Sequence, residues 1–72
     1  MVEEYRGFLL LVGRNARGRM SFDWLDPLTH FATPELAKAT TAAEAMEEAK
    51  AFIDRKLAAE AADVERGLSQ LP

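Results

Sequence analysis

The feature that most constrains this chain is a helix signal that occupies more than a third of it. The run Thr41-Ala42-Ala43-Glu44 matches a capping box, in which the threonine hydroxyl covers an orphan N–H and Glu44 reaches back. Alanine, glutamate, methionine and lysine dominate the next twenty or so residues, and all are good helix formers. Ala42, Ala45, Met46, Ala49, Phe52, Ile53 and Leu57 recur at three- and four-residue spacing and make one apolar stripe. Lys50–Asp54 and Lys56–Glu60 stand four apart, the spacing of pairs on an outer helix face. The pattern predicts a helix over 41–66, with Gly67 as its stop.

That stripe needs a surface to lie on, and the preceding residues read as strands. Tyr5 to Val12 is one strand, apolar at every position from Phe8 onward, so it should be central or covered on both faces. Gly13 to Gly18 carries a hairpin-loop composition. Arg19 to Leu25 alternates cleanly: Met20, Phe22 and Trp24 fall on a core face, while Arg19, Ser21 and Asp23 fall on the other. Asp26-Pro27 ends that strand, because proline has no N–H for the ladder. Residues 28–40 admit two readings. A short edge strand near 35–40 is favoured, because two strands alone are marginal in water; the rival is a short helix capped by Thr33 with Pro34 at its first position. The expected fold is α+β: an antiparallel sheet of two or three strands over about 5–40, packed on one long C-terminal helix in β-β-(β)-α order. It forms a single domain over 1–72, with a short tail after the helix.

Length sets up a conflict. A helix over 41–66 is roughly 39 Å long at 1.5 Å per residue, whereas strands of six to eight residues span only about 20–27 Å. The helix should therefore overhang the sheet beyond about Leu57, yet Ala61, Val64, Leu68 and Leu71 keep an apolar spacing. A chain of 72 residues buries about 60% of its unfolded surface and has little core in reserve. It has no cysteine for a disulfide and one histidine, too few for a zinc site. Association remains as reinforcement, so a homodimer through Val64, Leu68 and Leu71 is expected.

Chemistry-bearing patterns are sparse. His30 near Asp23 and Asp26 is the single hint of acid–base work, and a loop histidine beside a proline turn is more often a surface residue. No phosphate-cradling glycine loop, nucleophile elbow or metal-ligand spacing is present, so no enzyme activity, cofactor or metal is expected. Arg14, Arg17 and Arg19 put three bases in six residues without an acid, a pattern suited to phosphate or carboxylate. Residues 1–40 hold five acids and five bases, and residues 41–72 hold seven acids against four bases, which supplies the whole net charge of −3. That balance argues against nonspecific nucleic-acid binding. The acidic opening lacks a signal peptide's basic region, and the run Phe8 to Val12 is far below the roughly 20 residues of a membrane span. A cytoplasmic protein without membrane contact is expected.

The stretch from Thr41 to Asp54, Thr-Ala-Ala-Glu-Ala-Met-Glu-Glu-Ala-Lys-Ala-Phe-Ile-Asp, resembles the helix opening of HicB-type antitoxins and related small ββ(β)α proteins of bacteria and phages. In these a threonine-capped helix packs on a short antiparallel sheet entered from an aromatic strand, which Tyr5 to Val12 would supply. The resemblance implies the fold and no functional residues; Asp26-Pro27-Leu28 does not match the family's proline-glycine segment. The expected function is a non-enzymatic protein-interaction module of bacterial or phage origin, antitoxin-like or an inhibitor of a defence nuclease, docking on a partner protein or on itself. The alternative is a nucleic-acid binder using the hairpin Arg14–Arg19, with binding that falls steeply with salt.

Overall fold

A computed structural model describes residues 1–69. Four strands, β1 (Val2–Tyr5), β2 (Phe8–Arg14), β3 (Met20–Leu25) and β4 (Ala32–Leu36), precede one helix, α1 (Ala42–Ser69). The strands form a single sheet in sequence order, every neighbour antiparallel. The α+β class and the C-terminal helix agree with the sequence reading; the strand count does not.

The extra strand comes from a reversal inside the predicted Tyr5–Val12 segment. Tyr5 pairs with Phe8, leaving Arg6 and Gly7 as a two-residue loop with φ of 51° and 89°. Two successive positive φ values are the mark of a type I′ turn, whose twist suits a hairpin. Its usual Asn-Gly or Asp-Gly is here Arg-Gly, an unfavourable conformation for arginine, so the signal was hidden. Val12 and Met1 then exchange backbone bonds at 2.8 and 3.1 Å, which extends the pairing to the first residue.

β4 lies three residues earlier than the expected 35–40 edge strand, and the rival helix starting at Thr33 does not form. Ala37 donates to the Met20 carbonyl at 3.0 Å, so by alternation Thr33 and Glu35 point their N–H groups inward and Pro34 sits on the open side. A proline there loses no ladder bond and blunts the sheet edge. The helix starts as predicted: Thr41 Oγ1 accepts the Glu44 N–H at 3.3 Å. The return bond from Glu44 is absent among the described residues. Gly67 does not end the helix, because its φ is not positive and so forms no left-handed cap.

The helix lies on one face of the sheet only. Phe8, Leu10, Val12, Met20 and Phe22 from the strands meet Ala45, Met46, Ala49 and Ile53 from α1, and all are buried. Trp24 and Phe52 pack against this core, with ring centroids 5.7 Å apart. Trp24 Nε1 is buried and has no hydrogen-bond partner among the described residues, and Lys56 Nζ stands 5.1 Å from the ring centroid. Of the two expected helix-face pairs, Lys56–Glu60 forms at 2.7 Å. Lys50–Asp54 does not, because Lys50 binds Glu3 at 2.8 Å and Asp54 binds Arg6 at 2.9 Å, both across to the first hairpin. These cross-links pin β1, whose backbone would otherwise be an unsupported edge.

The overhang is real. At 1.5 Å per residue a 28-residue helix is about 42 Å long, and the molecule measures 52 × 23 × 19 Å. Leu57 is the last helix residue packed against the core, and residues 58–67 are exposed.

Candidate functional site

Strand alternation divides the sheet into two unlike faces. The face under α1 is the core. On the other face the ladder sets Leu11 between Val2 and Asp23, Leu9 between Glu4 and Leu25, and Leu36 beyond Ser21, with Pro34 beside Asp23 and Ala32 beside Leu25. An antiparallel sheet with one solvated side normally alternates apolar-in and polar-out. Here the uncovered side is itself mostly apolar. Val2 and Leu36 are 62% and 61% exposed, Leu11 is 37% exposed, and Leu9 and Leu25 are half-covered by their neighbours alone. The sequence reading that β2 should be central or covered on both faces is met by its place between β1 and β3, and its second face stays uncovered. Asp23 stands within this face, and among the described residues no base or hydrogen-bond donor pairs with its carboxylate.

A second concentration of chemistry lies where β2 and β3 meet the segment leading into α1. Arg14, Gly18, Arg19, Met20, Ala37, Lys38, Ala39 and Thr40 enclose a cleft of about 310 Å³. The loop that presents it is tightly held. Asn15 Oδ1 accepts the N–H groups of Arg17 and Arg19 at 2.9 and 3.1 Å, and Gly18, at φ 78°, lets the chain turn there. Arg14 Nη1 donates to the Gly18 carbonyl at 2.9 Å. The structure thus brings Arg14 and Arg19 together and adds Lys38, which the sequence reading missed because it lies 19 residues further on, in a segment read as an edge strand near 35–40. Arg17 stands exposed on the loop and does not line the cleft.

The predicted tail surface is only partly visible. Val64 is 62% exposed on the overhang, Leu68 lies in the helix backbone, and Leu71 falls outside the described residues. His30 shows no catalytic arrangement. It sits at φ 61° in the β3–β4 loop and gives its backbone N–H to the Asp26 carbonyl at 2.9 Å. Asp26 spends a carboxylate oxygen on the Leu28 N–H at 2.8 Å, and no bond joins the His30 ring to either aspartate among the described residues. Nor do the described residues hold a cluster of three His, Cys, Asp or Glu side chains suited to a metal. No helix among them is long and apolar enough to cross a membrane.

Compared with known proteins, the chain matches no family model, no curated protein and no solved structure.

Proposed function

We propose that this chain is a non-enzymatic protein-interaction module that docks a partner protein on the uncovered face of its sheet. The carrying observation is the apolar surface of Val2, Leu9, Leu11, Leu25 and Leu36 opposite the helix. Contiguous apolar surface of this kind is uncommon on a monomer without a use. An antitoxin-like or nuclease-inhibiting role falls within this class.

Asp23 narrows the partner's chemistry. Docking strips water from its carboxylate, and a buried charge without a partner is costly. The fitting surface is apolar and carries an arginine or lysine placed to meet Asp23. A second copy stacked about a two-fold axis through this face would instead bring two Asp23 carboxylates into one water-poor layer.

The test places a photoreactive residue at position 11 or at position 58 and tracks cross-linking to the partner recovered from the native host. Adducts from position 11, with loss of binding in Asp23→Arg and its rescue by an acidic substitution of the partner's base, support the reading. Adducts from position 58 alone, or undiminished binding by Leu11→Glu, would sink it. A dimer of the purified chain that Leu11→Glu dissolves would assign the face to a second copy.

A further inference from the structure

The nine basic side chains divide into two populations. Arg6, Lys50, Lys56 and Arg66 each stand within ion-pair distance of a carboxylate. Arg14, Arg17, Arg19, Lys38 and Arg55 have no such partner among the described residues. Four of those five gather at one end of the sheet, and three of them line the 310 Å³ cleft together with Thr40. No carboxylate among the described residues lines it. Glu48, the acid that comes close, turns both oxygens to the Lys38 backbone N–H at 2.8 and 3.1 Å and lies outside the lining. A neighbouring cleft of about 260 Å³, which also has Lys38 in its lining, offers the contrast: two carboxylates, Glu35 and Glu48, line it beside Lys38 and Arg55.

In a chain with net charge −3, three basic side chains line one concavity that has no carboxylate in its lining among the described residues, and a bound anion lowers their mutual repulsion. We infer that this cleft is a phosphate-binding site, taking the phosphate or diphosphate group of a small phosphorylated molecule. Arg14 and Arg19 supply planar forks suited to paired oxygens, and Lys38 supplies a compact charge. The Thr40 hydroxyl adds a neutral donor, and α1 begins two residues later, so its positive end adds to the same field. The loop is already fixed by Asn15 and by the Arg14–Gly18 bond, which reduces the ordering that binding would cost.

A discrete phosphate fits better than a nucleic-acid strand. The bases form one cluster, with no stripe leading away from it among the described residues, and the long helix beyond is acidic. A polyanion laid along this surface would meet repulsion as soon as it left the cleft.

The experiment titrates inorganic pyrophosphate into the full chain and monitors backbone amide resonances. Saturable shifts at Gly18, Arg19, Lys38 and Thr40, with a Kd of about 1 mM or tighter, are expected. Arg19→Gln/Lys38→Gln should weaken binding about tenfold or more, since it removes two charge-assisted contacts. Arg55→Gln, at an unpaired base outside the cleft, should leave binding unchanged; an equal loss there would mean diffuse charge attraction and overturn the assignment. So would the absence of saturation by pyrophosphate. A single-stranded oligonucleotide that binds in a steeply salt-dependent way and is not displaced by pyrophosphate would replace the phosphate site with a nucleic-acid surface. An unchanged amide spectrum outside the cleft shows that the double variant still folds; a collapsed spectrum moves the measurement to Arg14→Lys, in which binding must weaken for the site to stand.

Discussion

The phenolic hydroxyl of Tyr5 donates to Oδ1 of Asp54 at 2.8 Å, joining the first hairpin to a helix residue 49 positions further along the chain. Arg6 Nη1 reaches the same oxygen at 2.9 Å. The Asp54 carboxyl is held below its usual range, chiefly by the Arg6 hydrogen bond and then by that of Tyr5. The same contact raises the Tyr5 hydroxyl above its usual value, because the protonated hydroxyl donates a hydrogen bond to Asp54 and the Asp54 charge opposes a second negative one. A carboxylate that holds its proton less tightly in the folded state stabilises fully above the unfolded value of about 4 and fades as pH falls through the folded one. Asp54→Asn should therefore lower the urea midpoint at neutral pH, and its difference from the wild type should shrink as the solution is acidified below about pH 4. A difference equally large at pH 7 and in strong acid would exclude the ion pair as its source.

The helix cap makes a second test. Among the described residues only half of the capping box forms, the Thr41 hydroxyl to the Glu44 N–H. Thr41→Ala should cost about 1 kcal/mol, while Glu44→Ala should cost much less. Equal losses in chemical denaturation would mean that Glu44 contributes through a bond to Thr41 after all.

Phe22 and Trp24 are neighbours on one strand face, and their truncations should differ in kind. Phe22 is 3% exposed, its ring 5.6 Å from that of Phe52, so Phe22→Ala should cost roughly 3–5 kcal/mol. The Trp24 indole N–H is buried and has no partner among the described residues. An unsatisfied buried donor carries a desolvation penalty of about 1–3 kcal/mol, so Trp24→Phe removes a cost along with some packing. Thermal denaturation should find Trp24→Phe within about 1 kcal/mol of the wild type. A loss near that of Phe22→Ala would reveal a hydrogen-bond partner for the indole.

What could be read from the sequence depended on how locally each feature is encoded. The helix start and the Met20–Phe22–Trp24 face are written in adjacent residues, and both are where the spacing put them. The first hairpin was missed because its turn depends on Arg6 adopting a positive φ, which side-chain type disfavours and which the ties of Arg6 and Tyr5 to Asp54 support from across the fold. The position of β4 turned on which side of the strand Pro34 would face, and only pairing with β3 decides that. Lys38 joined the arginines for the same reason: loop residues acquire neighbours from the sheet that anchors them. The apolar outer face was visible in Phe8 to Val12 as composition, but nothing local says that no second layer covers it.

The overhang of α1 yields the last prediction. Beyond Leu57 the helix no longer packs on the core, and its side chains from Ala58 to Gly67 are exposed. An isolated helix of about a dozen residues is marginal in water even when rich in alanine. This segment has local support from the Lys56–Glu60 and Asp63–Arg66 pairs, each worth only a few tenths of a kcal/mol on an exposed helix. In a monomer it should therefore fray: amides past Ala59 should exchange with solvent far faster than those of Ala45 to Ile53, whose turns sit on the sheet. Truncation after Ala59 should then shift the stability of the remaining domain by no more than about 0.5 kcal/mol, as expected for exposed surface. The homodimer anticipated through Val64, Leu68 and Leu71 makes the opposite prediction, with protected tail amides and a truncation that lowers both stability and mass. Hydrogen exchange and sedimentation equilibrium on the two lengths of chain decide between them. Slow exchange past Ala59 together with a dimer lost on truncation would establish the tail as an interface, whereas fast exchange in a monomer would leave the open sheet face as the docking surface.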